Sequence, residues 1–135
     1  MAVKFEVRGR YAVIALDRPD ARNAIDRQMA LDIEAAIDRL EANDEIWVGL
    51  LCGEGPVFCA GADLKAVASG KTDFTTRRGG FAGIVRRERT KPLIAVVEGP
   101  AVAGGCEVVL SCDMVVAGAE AEFGLPEVKR SLVAN

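Results

Sequence analysis

The chain has 135 residues, which is enough for one domain with a buried core. Half of its residues are hydrophobic and 27% are charged, a composition typical of folded globular proteins and not of disordered or collagen-like chains. The 17 basic and 20 acidic side chains give a formal net charge of −3, whereas a general nucleic-acid-binding protein is usually strongly basic. We therefore predict no nucleic-acid partner.

The absence of histidine limits the chemistry that the chain can perform. Without histidine, Ser-His-Asp and Cys-His pairs and imidazole metal sites are excluded, so proton transfer needs another group, such as a buried glutamate with a raised pKa. The cysteines form no C-x-x-C pair and lie in apolar stretches, which indicates reduced core thiols: Cys52, Cys59, Cys106 and Cys112. No signal-peptide pattern and no membrane-length apolar run is visible. We predict a cytoplasmic protein with no metal centre and no membrane partner.

The first part of the sequence predicts a β-hairpin followed by an amphipathic helix. Two stretches rich in β-branched and aromatic residues, 3–8 and 11–16, flank a turn at Gly9. Asp26 is a suitable N-cap for a helix, and Asn43 is suited to its end. Between them, apolar residues recur at spacings of three and four: Met29, Ile33, Ala36, Ile37 and Leu40.

Three later apolar runs, residues 46–52, 93–97 and 114–117, predict further strands. Each run is bounded by Gly, Pro or charged residues, a pattern typical of strands that are covered on both faces. Strands of this kind alternate with predicted helices. The pattern therefore predicts an α/β fold with largely parallel strand pairing.

The region between the first two of these runs combines a loop with a basic segment. Residues 68–80 have loop composition and form either an ordinary solvated loop or a mobile cover over a site. Residues 77–91 predict a helix whose buried stripe includes Phe81, Ile84 and Val85. The basic residues of that helix form either a solvated face or an anion contact.

Two nucleotide-binding motifs are excluded by their spacing. Gly70-Lys71-Thr72 resembles the end of a P-loop, but Lys65 stands where that loop requires a glycine. No G-x-G-x-x-G motif opens a helix after a buried strand. The sequence therefore gives no support for a nucleotide or dinucleotide cofactor.

Two glycine-containing segments follow predicted strands and could present backbone N–H groups to a ligand. The small residues of segment 58–65 would let main-chain N–H groups approach a ligand closely. Near Gly104 and Gly105 the chain enters an apolar helix, whose first N–H groups lie at the positive end of the helix dipole. Two converging donors would form an oxyanion hole, although tight turns alone would also explain these glycines.

Four segments together resemble one family. Residues 17–24 (DRPDARNA), 58–65 (FCAGADLK), 103–107 (AGGCE) and 123–127 (FGLPE) are similar, in order and spacing, to the crotonase superfamily and most closely to its enoyl-CoA hydratases. The resemblance spans nearly the whole chain and implies a crotonase-like α/β spiral of repeated ββα units. It also implies a homotrimer or a dimer of trimers that acts on an acyl-CoA substrate. No separate cofactor is implied, because coenzyme A is part of the substrate.

The resemblance also implies roles for particular residues. The N–H groups of Ala62 and Gly104 would hold the thioester carbonyl oxygen. Glu107 and Glu127 fall on the two catalytic glutamate positions; we assign Glu107 mainly to activating water and Glu127 mainly to delivering a proton to C2, with a shared role possible. The residues that would line the coenzyme A and substrate site are Arg22, Ala24, Ala60, Ala62, Asp63, Leu64, Lys65 and Gly104.

Each glutamate also has an ordinary structural explanation. The helix dipole would stabilise Glu107 in a first turn, and Glu127 would be a solvated loop carboxylate. Hydration of an enoyl thioester, however, builds enolate charge on the carbonyl oxygen and needs one group to deprotonate water and one to protonate C2. Two carboxyl groups suffice for this reaction, which agrees with the absence of histidine.

Enoyl-CoA hydratases are longer than this chain. We therefore interpret residues 1–135 as the N-terminal part of a crotonase-like core domain, truncated before the C-terminal helices. On this interpretation the strands at 93–97 and 114–117 should be partly uncovered. Two alternative functions stay open: a related dehydratase or isomerase of another acyl-CoA, and an inactive fragment that only binds a partner.

Overall fold

A five-stranded sheet forms the first layer of the protein. The computed structural model describes residues 1–127. Five strands form this sheet: β1 (Val3–Arg8), β2 (Tyr11–Leu16), β3 (Val48–Gly53), β6 (Leu93–Val97) and β8 (Met114–Ala117). Four shorter strands lie outside it: β4 (Thr75–Thr76), β5 (Gly80–Phe81), β7 (Pro100–Val102) and β9 (Glu122–Gly124). The sheet order is β1-β2-β3-β6-β8. β1 pairs antiparallel with β2, whereas the other neighbours are parallel. The predicted hairpin and the predicted parallel pairing are both confirmed.

Helix α1 (Arg27–Ala42) covers one face of this sheet. Its N-cap is Asp26, whose carboxylate accepts a hydrogen bond of 2.8 Å from the Met29 N–H, as the sequence predicts. The five apolar positions that the spacing predicts are all buried: Met29, Ile33, Ala36, Ile37 and Leu40. Gly49 in β3 lets the helix lie close, because a Cβ there would stand 2.9 Å from both Leu40 and Leu93. The predicted amphipathic helix is therefore confirmed, and its apolar face packs against the sheet.

A second, smaller β-layer lies beside the first and follows the chain in the same order. β7 pairs in parallel with β9, and two single bridges, Ile25 with Ala62 and Cys59 with Ala101, continue this layer in the other direction. Each turn of the chain thus contributes a strand to the first sheet and a short extended segment to the second layer. Helix α2 (Leu64–Ala68) or α3 (Gly104–Leu110) then follows. This arrangement is a spiral of ββα units.

The helix predicted over residues 77–91 is wrong. The structure has the short antiparallel hairpin of β4 and β5, followed by turns. Gly80, Ala82 and Gly83 all have φ angles between 57° and 70°, which a right-handed helix does not contain. Gly83 also lies against α1, where a Cβ would clash with the Ala30 carbonyl oxygen. The apolar spacing that suggested a helix instead marks residues of this turn region, of which Phe81 and Ile84 are buried.

Three of the basic residues in this region form ion pairs with neighbouring acidic groups. Arg78 and Arg87 contact the Asp38 carboxylate of α1 at 2.8 Å and 2.7 Å. Arg89 contacts Asp113 at 3.2 Å. Arg77 and Arg86 are exposed, so the solvated alternative fits these two, whereas Arg78, Arg87 and Arg89 pair with carboxylates of the protein itself.

The two strands expected to be partly uncovered differ in burial. β6 has one buried face, formed by Leu93, Ala95 and Val97. β8, at the edge of the sheet, is exposed along its whole length, with Met114 at 60% exposure. The expectation that residues 114–117 are covered on both faces is therefore wrong in this structure. None of the helices in residues 1–127 is long and apolar enough to cross a membrane.

Candidate active site

A cavity of about 680 Å³ opens between α2, the start of α3 and the segment before α1. Its walls include every residue that the sequence singles out as a site residue: Arg22, Ala24, Ala60, Ala62, Asp63, Leu64, Lys65, Gly104, Glu107 and Glu127. These residues come from four separate parts of the chain. The spiral brings them together because successive turns place their second-layer segments side by side.

Backbone hydrogen bonds fix the segment that carries Ala62 on both of its sides. On one side the Ala60 N–H donates to the Arg22 carbonyl oxygen at 3.0 Å, and the Asp63 N–H donates to Ile25 at 2.8 Å. On the other side the Phe58 N–H donates to the Pro100 carbonyl oxygen at 3.0 Å. Within residues 1–127 the Ala62 N–H itself donates to no acceptor. The segment is therefore rigidly placed, with one N–H left for a ligand.

Asp63 anchors the end of this segment. One carboxylate oxygen, Oδ1, caps α2 by accepting from the N–H groups of Lys65 at 3.0 Å and Ala66 at 3.3 Å. The other, Oδ2, lies 3.3 Å from the Arg18 guanidinium. Burial opposes ionisation of Asp63, but the Ala66 N–H, Arg18 and the Lys65 N–H together outweigh it and hold the pKa below the usual value. Asp63 therefore lines the cavity as an ionised helix cap.

The turn from β7 into α3 brings the Gly104 N–H to the same cavity. Ala103 has a φ angle of 52°, an unfavourable value for a residue with a side chain, which costs about 1–3 kcal/mol. The first N–H groups of a helix have no acceptor within the helix, and the Gly104 N–H donates to none within residues 1–127. Gly61 lies directly against this turn, because a Cβ on Gly61 would stand 2.8 Å from the Gly104 nitrogen.

Glycine is required where this turn packs. A Cβ on Gly105 would clash with the Cys59 carbonyl oxygen, and a Cβ on Gly104 would clash with the ring of Phe81. Phe81 is buried and also lines the cavity. The two N–H-bearing segments are therefore in direct contact, and Phe81 covers the Gly104 backbone.

Glu107 and Glu127 both point at the cavity and are both buried. Glu107, on the first turn of α3, is 7% exposed, and Glu127, which follows Pro126, is 9% exposed. The Oε1 atom of Glu127 has no hydrogen-bond partner in the described part of the chain. A solvated loop position for Glu127 is therefore excluded, and both carboxyl groups are placed where they could exchange protons with a bound ligand.

Cationic residues lie near the mouth of the cavity. Arg22 and Lys65 are exposed, and the structure gives neither an ion-pair partner among residues 1–127. Arg22 has a left-handed backbone conformation, with φ at 56°, which ends the short helical turn Pro19–Ala21. Free cations at the mouth of an otherwise largely apolar cavity are suited to an anionic ligand group such as a phosphate.

The segment predicted as a loop or a mobile cover forms one wall of the cavity. Thr72, Phe74 and Thr75 line it. Arg27 of α1 holds the segment by contacting the Asp73 carboxylate at 2.7 Å and the Thr75 carbonyl oxygen at 3.0 Å. The segment is therefore largely an exposed loop, as predicted, and its second half is also tied to α1.

Two residues important for this geometry, Arg18 and Asn23, have no individual role in the sequence analysis, and Phe81 is expected there only as part of the buried stripe of a helix. Asn23 is fully buried and joins the segments around it, accepting from the Arg18 N–H at 2.8 Å and donating to the carbonyl oxygens of Glu54 and Val57. The only sequence signal for this role of Asn23 was its presence as a polar residue in the DRPDARNA segment. Its partners are distant in sequence, so only the fold identifies its role.

Cysteines and metal ligands play no part in the cavity wall. The four cysteines are free thiols, as predicted, and burial raises the pKa of the Cys59 thiol to about 12. Residues 1–127 contain no group of three or more His, Cys, Asp or Glu side chains that could hold a metal ion. The polar groups that the described residues offer to the cavity are backbone donors, carboxyl groups, cations and the hydroxyl groups of Thr72 and Thr75.

Comparison with known proteins gives a consistent family. The profile of the enoyl-CoA hydratase/isomerase family matches residues 6–135. Enoyl-CoA hydratase EchA19 of Mycobacterium tuberculosis is 41% identical over 133 residues, covering 94% of this chain and 50% of that protein. Carnitinyl-CoA dehydratase of Proteus mirabilis is 39% identical over 129 residues, covering 93% and 49%.

A solved structure shows the same fold. Enoyl-CoA hydratase EchA1 of Mycobacterium marinum superimposes with a TM-score of 0.93 at 44% identity, covering 99% of this chain and 52% of that one. The chain therefore belongs to the enoyl-CoA hydratase/isomerase family and has the crotonase fold. It spans about half the length of the relatives that it matches.

Proposed function

We propose that the complete protein adds water across the 2,3-double bond of an acyl-CoA thioester and forms the 3-hydroxyacyl-CoA. The observation that carries this proposal is one cavity lined by two buried carboxyl groups and by two residues whose N–H groups have no acceptor among residues 1–127. The names of the relatives EchA19 and EchA1 agree with it.

In the proposed reaction the N–H groups of Ala62 and Gly104 bind the thioester carbonyl oxygen. Charge builds on this oxygen when water adds at C3 and an enolate forms. Donors already fixed in place stabilise that charge without reorganisation, and each contributes about 10²–10³ in rate. The hydrogen bonds around residues 58–63 and the strained turn at Ala103 supply this fixed placement.

The two glutamates carry the proton transfers. Glu107 acts mainly as the base that activates water, and Glu127 acts mainly as the acid that protonates C2. Their burial within one cavity supports a role for the pair, because the chain has no histidine and a proton must leave water and reach carbon.

Coenzyme A binds as part of the substrate. We propose that Arg22 and Lys65 contact its phosphates, while Ala24, Ala60 and Leu64 line its path, with Asp63 holding α2 in place. The reaction itself is an addition of water and needs no separate cofactor. We further propose a cytoplasmic protein whose residues 1–135 form the N-terminal part of a core domain, assembled as a homotrimer or a dimer of trimers.

A second candidate is dehydration or isomerisation of a different acyl-CoA. The similarity to carnitinyl-CoA dehydratase supports it, because dehydration is the reverse of hydration and uses the same donors and carboxyl groups. A panel of enoyl-CoA and 3-hydroxyacyl-CoA thioesters with different acyl groups, followed by absorbance of the conjugated thioester, separates the two.

The proposal is tested with Glu107→Gln and Glu127→Gln in the complete protein. Each variant is expected to lower turnover by about 10²–10⁴ because it removes a proton-transfer group, while thioester affinity changes little. Glu122→Gln is the matched control, since Glu122 is exposed and outside the cavity wall. Near-normal hydration by either cavity variant excludes that glutamate, and no turnover by the unmodified protein excludes the proposed function.

A further inference from the structure

Arg18 lies between the beginnings of two helices and beside the cavity. It follows β2 in the DRPDARNA segment, and its side chain is 26% exposed and lines the cavity wall. Neither the proposed proton transfers nor the proposed phosphate contacts use it.

Its guanidinium contacts three acceptors that belong to different parts of the site. One nitrogen, Nη1, donates to the Ala24 carbonyl oxygen at 2.7 Å and lies 3.3 Å from Oδ2 of Asp26. The other, Nη2, donates to Oδ2 of Asp63 at 3.3 Å. Asp26 and Asp63 are the N-caps of α1 and α2, and each uses its Oδ1 atom for capping. Arg18 therefore binds the second oxygen of both helix caps.

The backbone of Arg18 is held in place as well. Its N–H donates to Oδ1 of the buried Asn23 at 2.8 Å, and its carbonyl oxygen accepts from the Asn23 N–H at 2.9 Å. The guanidinium is thus anchored at one end and joined to the two helix starts at the other. Its planar shape and five N–H groups suit several fixed acceptors, whereas a lysine ammonium is a single point charge.

We propose that Arg18 is a positioning residue that fixes the Ala62 N–H against the rest of the cavity. Ala62 directly precedes Asp63, so holding the Asp63 carboxylate also holds the Ala62 peptide group. Ala24, which Arg18 also contacts, lines the same cavity and lies in the segment that bridges to Ala62. This inference rests on the proposed function, because it concerns the donor to the thioester oxygen.

The competing explanation is that Arg18 contacts a substrate phosphate directly. Both of its terminal nitrogens already contact protein acceptors, whereas Arg22 and Lys65 have no ion-pair partner in residues 1–127. The geometry therefore favours positioning. The two roles also give different kinetics, because a lost phosphate contact raises KM and a misplaced oxyanion donor lowers kcat.

The kinetic test uses Arg18→Met and Arg18→Lys in the complete protein, with an enoyl-CoA substrate. Arg18→Met is expected to lower kcat by up to about 10²-fold, the loss typical of a small misplacement in an active site, while KM stays within about twofold. Arg18→Lys keeps the charge but not the planar fork, so kcat should remain low. A raised KM that the lysine variant restores, with normal kcat, overturns the proposal.

The control is Arg10→Met. Arg10 also pairs with a carboxylate, Glu45, and it lies outside the cavity wall, so its loss should leave kcat and KM unchanged. An equal loss of kcat in this variant would indicate a general effect of removing an ion pair and would overturn the specific role of Arg18.

A second measurement does not depend on turnover. Amide hydrogen exchange of Lys65 and Ala66 should accelerate in Arg18→Met, because the Asp63 cap that binds these amides loses its partner, whereas exchange in the β1–β2 hairpin should not change. The contacts of Arg18 with Asp26 and Asp63 are called the clamp here. Unchanged exchange at Lys65 and Ala66 overturns the proposal that this clamp holds the start of α2. If the unmodified protein hydrates no thioester but this exchange effect is present, the proposed function fails while the clamp itself stands.

Discussion

The segment that carries Ala62 and the turn that carries Gly104 both present a backbone N–H to the cavity, but the contacts that hold the two backbones differ in part. The Ala62 segment is held by hydrogen bonds on both sides and by the charged Asp63 cap. The Gly104 turn has no side-chain cap and contains a positive φ angle at Ala103. It is held by backbone hydrogen bonds from the Val102 N–H to Cys59 (3.1 Å) and from the Ala103 N–H to Gly124 (2.8 Å), together with close packing that only glycine permits.

This difference shows two ways in which a backbone N–H group can be held in a fixed position. In the first segment the Asp63 cap depends on the charge of one carboxylate, so this part of its restraint responds to pH. Steric contacts fix the second segment and depend on the absence of side-chain atoms, so they respond to added volume. The following predictions test this contrast, from the largest expected effect to the smallest.

Ala62→Pro in the complete protein should lower kcat by about 10²–10³, because proline removes the N–H that we propose as an oxyanion donor. The bridge between Ile25 and Ala62 is made by hydrogen bonds to the Gly61 carbonyl oxygen and from the Asp63 N–H, so the substitution removes neither of these groups. Steady-state kinetics and thermal unfolding check both parts. Normal turnover with normal stability would remove Ala62 from the oxyanion site.

Gly105→Ala should lower the free energy of unfolding by about 1–3 kcal/mol, the usual cost of overpacking. The new Cβ meets the Cys59 carbonyl oxygen, which is backbone and cannot rotate away. Gly124→Ala is the matched control, since a Cβ there meets nothing within 4 Å. Denaturant unfolding that gives equal stability for the two variants would contradict steric control of the turn.

Gly104→Ala should be milder, because its Cβ clashes with the far end of the Phe81 ring, whereas the nearest backbone atom, the Gly61 Cα, is 3.3 Å away. A smaller side chain at position 81 should relieve that clash. Phe81→Leu is therefore expected to destabilise the unmodified protein but to cost less in the Gly104→Ala background, which a double-mutant cycle measures. Additive effects would show that the Phe81 ring does not press on this turn.

Asp63→Asn should give the smallest effect at neutral pH, about 1 kcal/mol or less, because asparagine also caps helices. The pKa of Asp63 is lowered in the folded protein, so its ionisation stabilises the fold above the ordinary carboxyl pKa of about 3.9. That contribution is lost as the pH falls through the lowered value. Thermal unfolding from pH 6 to pH 3 should therefore show a smaller loss of stability in Asp63→Asn than in the unmodified protein, and identical profiles would contradict this role.

Local sequence signals determined much of the first sheet and of α1. The bounds 3–8, 11–16, 93–97 and 114–117 agree with the strands, and the Asp26 cap is present. These elements were predictable because alternation, apolar spacing and capping are properties of neighbouring residues. The resemblance also selected ten residues that do line one cavity, although their chemical roles remain predictions.

The helix predicted over 77–91 failed because tertiary contacts outweighed apolar spacing. Gly83 packs on the α1 backbone, and Arg78 and Arg87 bind Asp38 of the same helix, so the segment follows α1 in a series of turns. The second β-layer was likewise not predicted, because its segments are too short to carry a pattern and pair with residues that are distant in sequence.

The sequence by itself determined the strands of the five-stranded sheet, the first helix, the family resemblance and the carboxyl groups available for proton transfer. Only the tertiary structure decided which N–H groups lack acceptors, that Glu127 is buried, and that Arg18 joins two helix caps. The physical reason is range: strand and helix patterns depend on residues a few positions apart. The distances in the cavity depend instead on how successive turns of the spiral pack, with glycine where backbones touch.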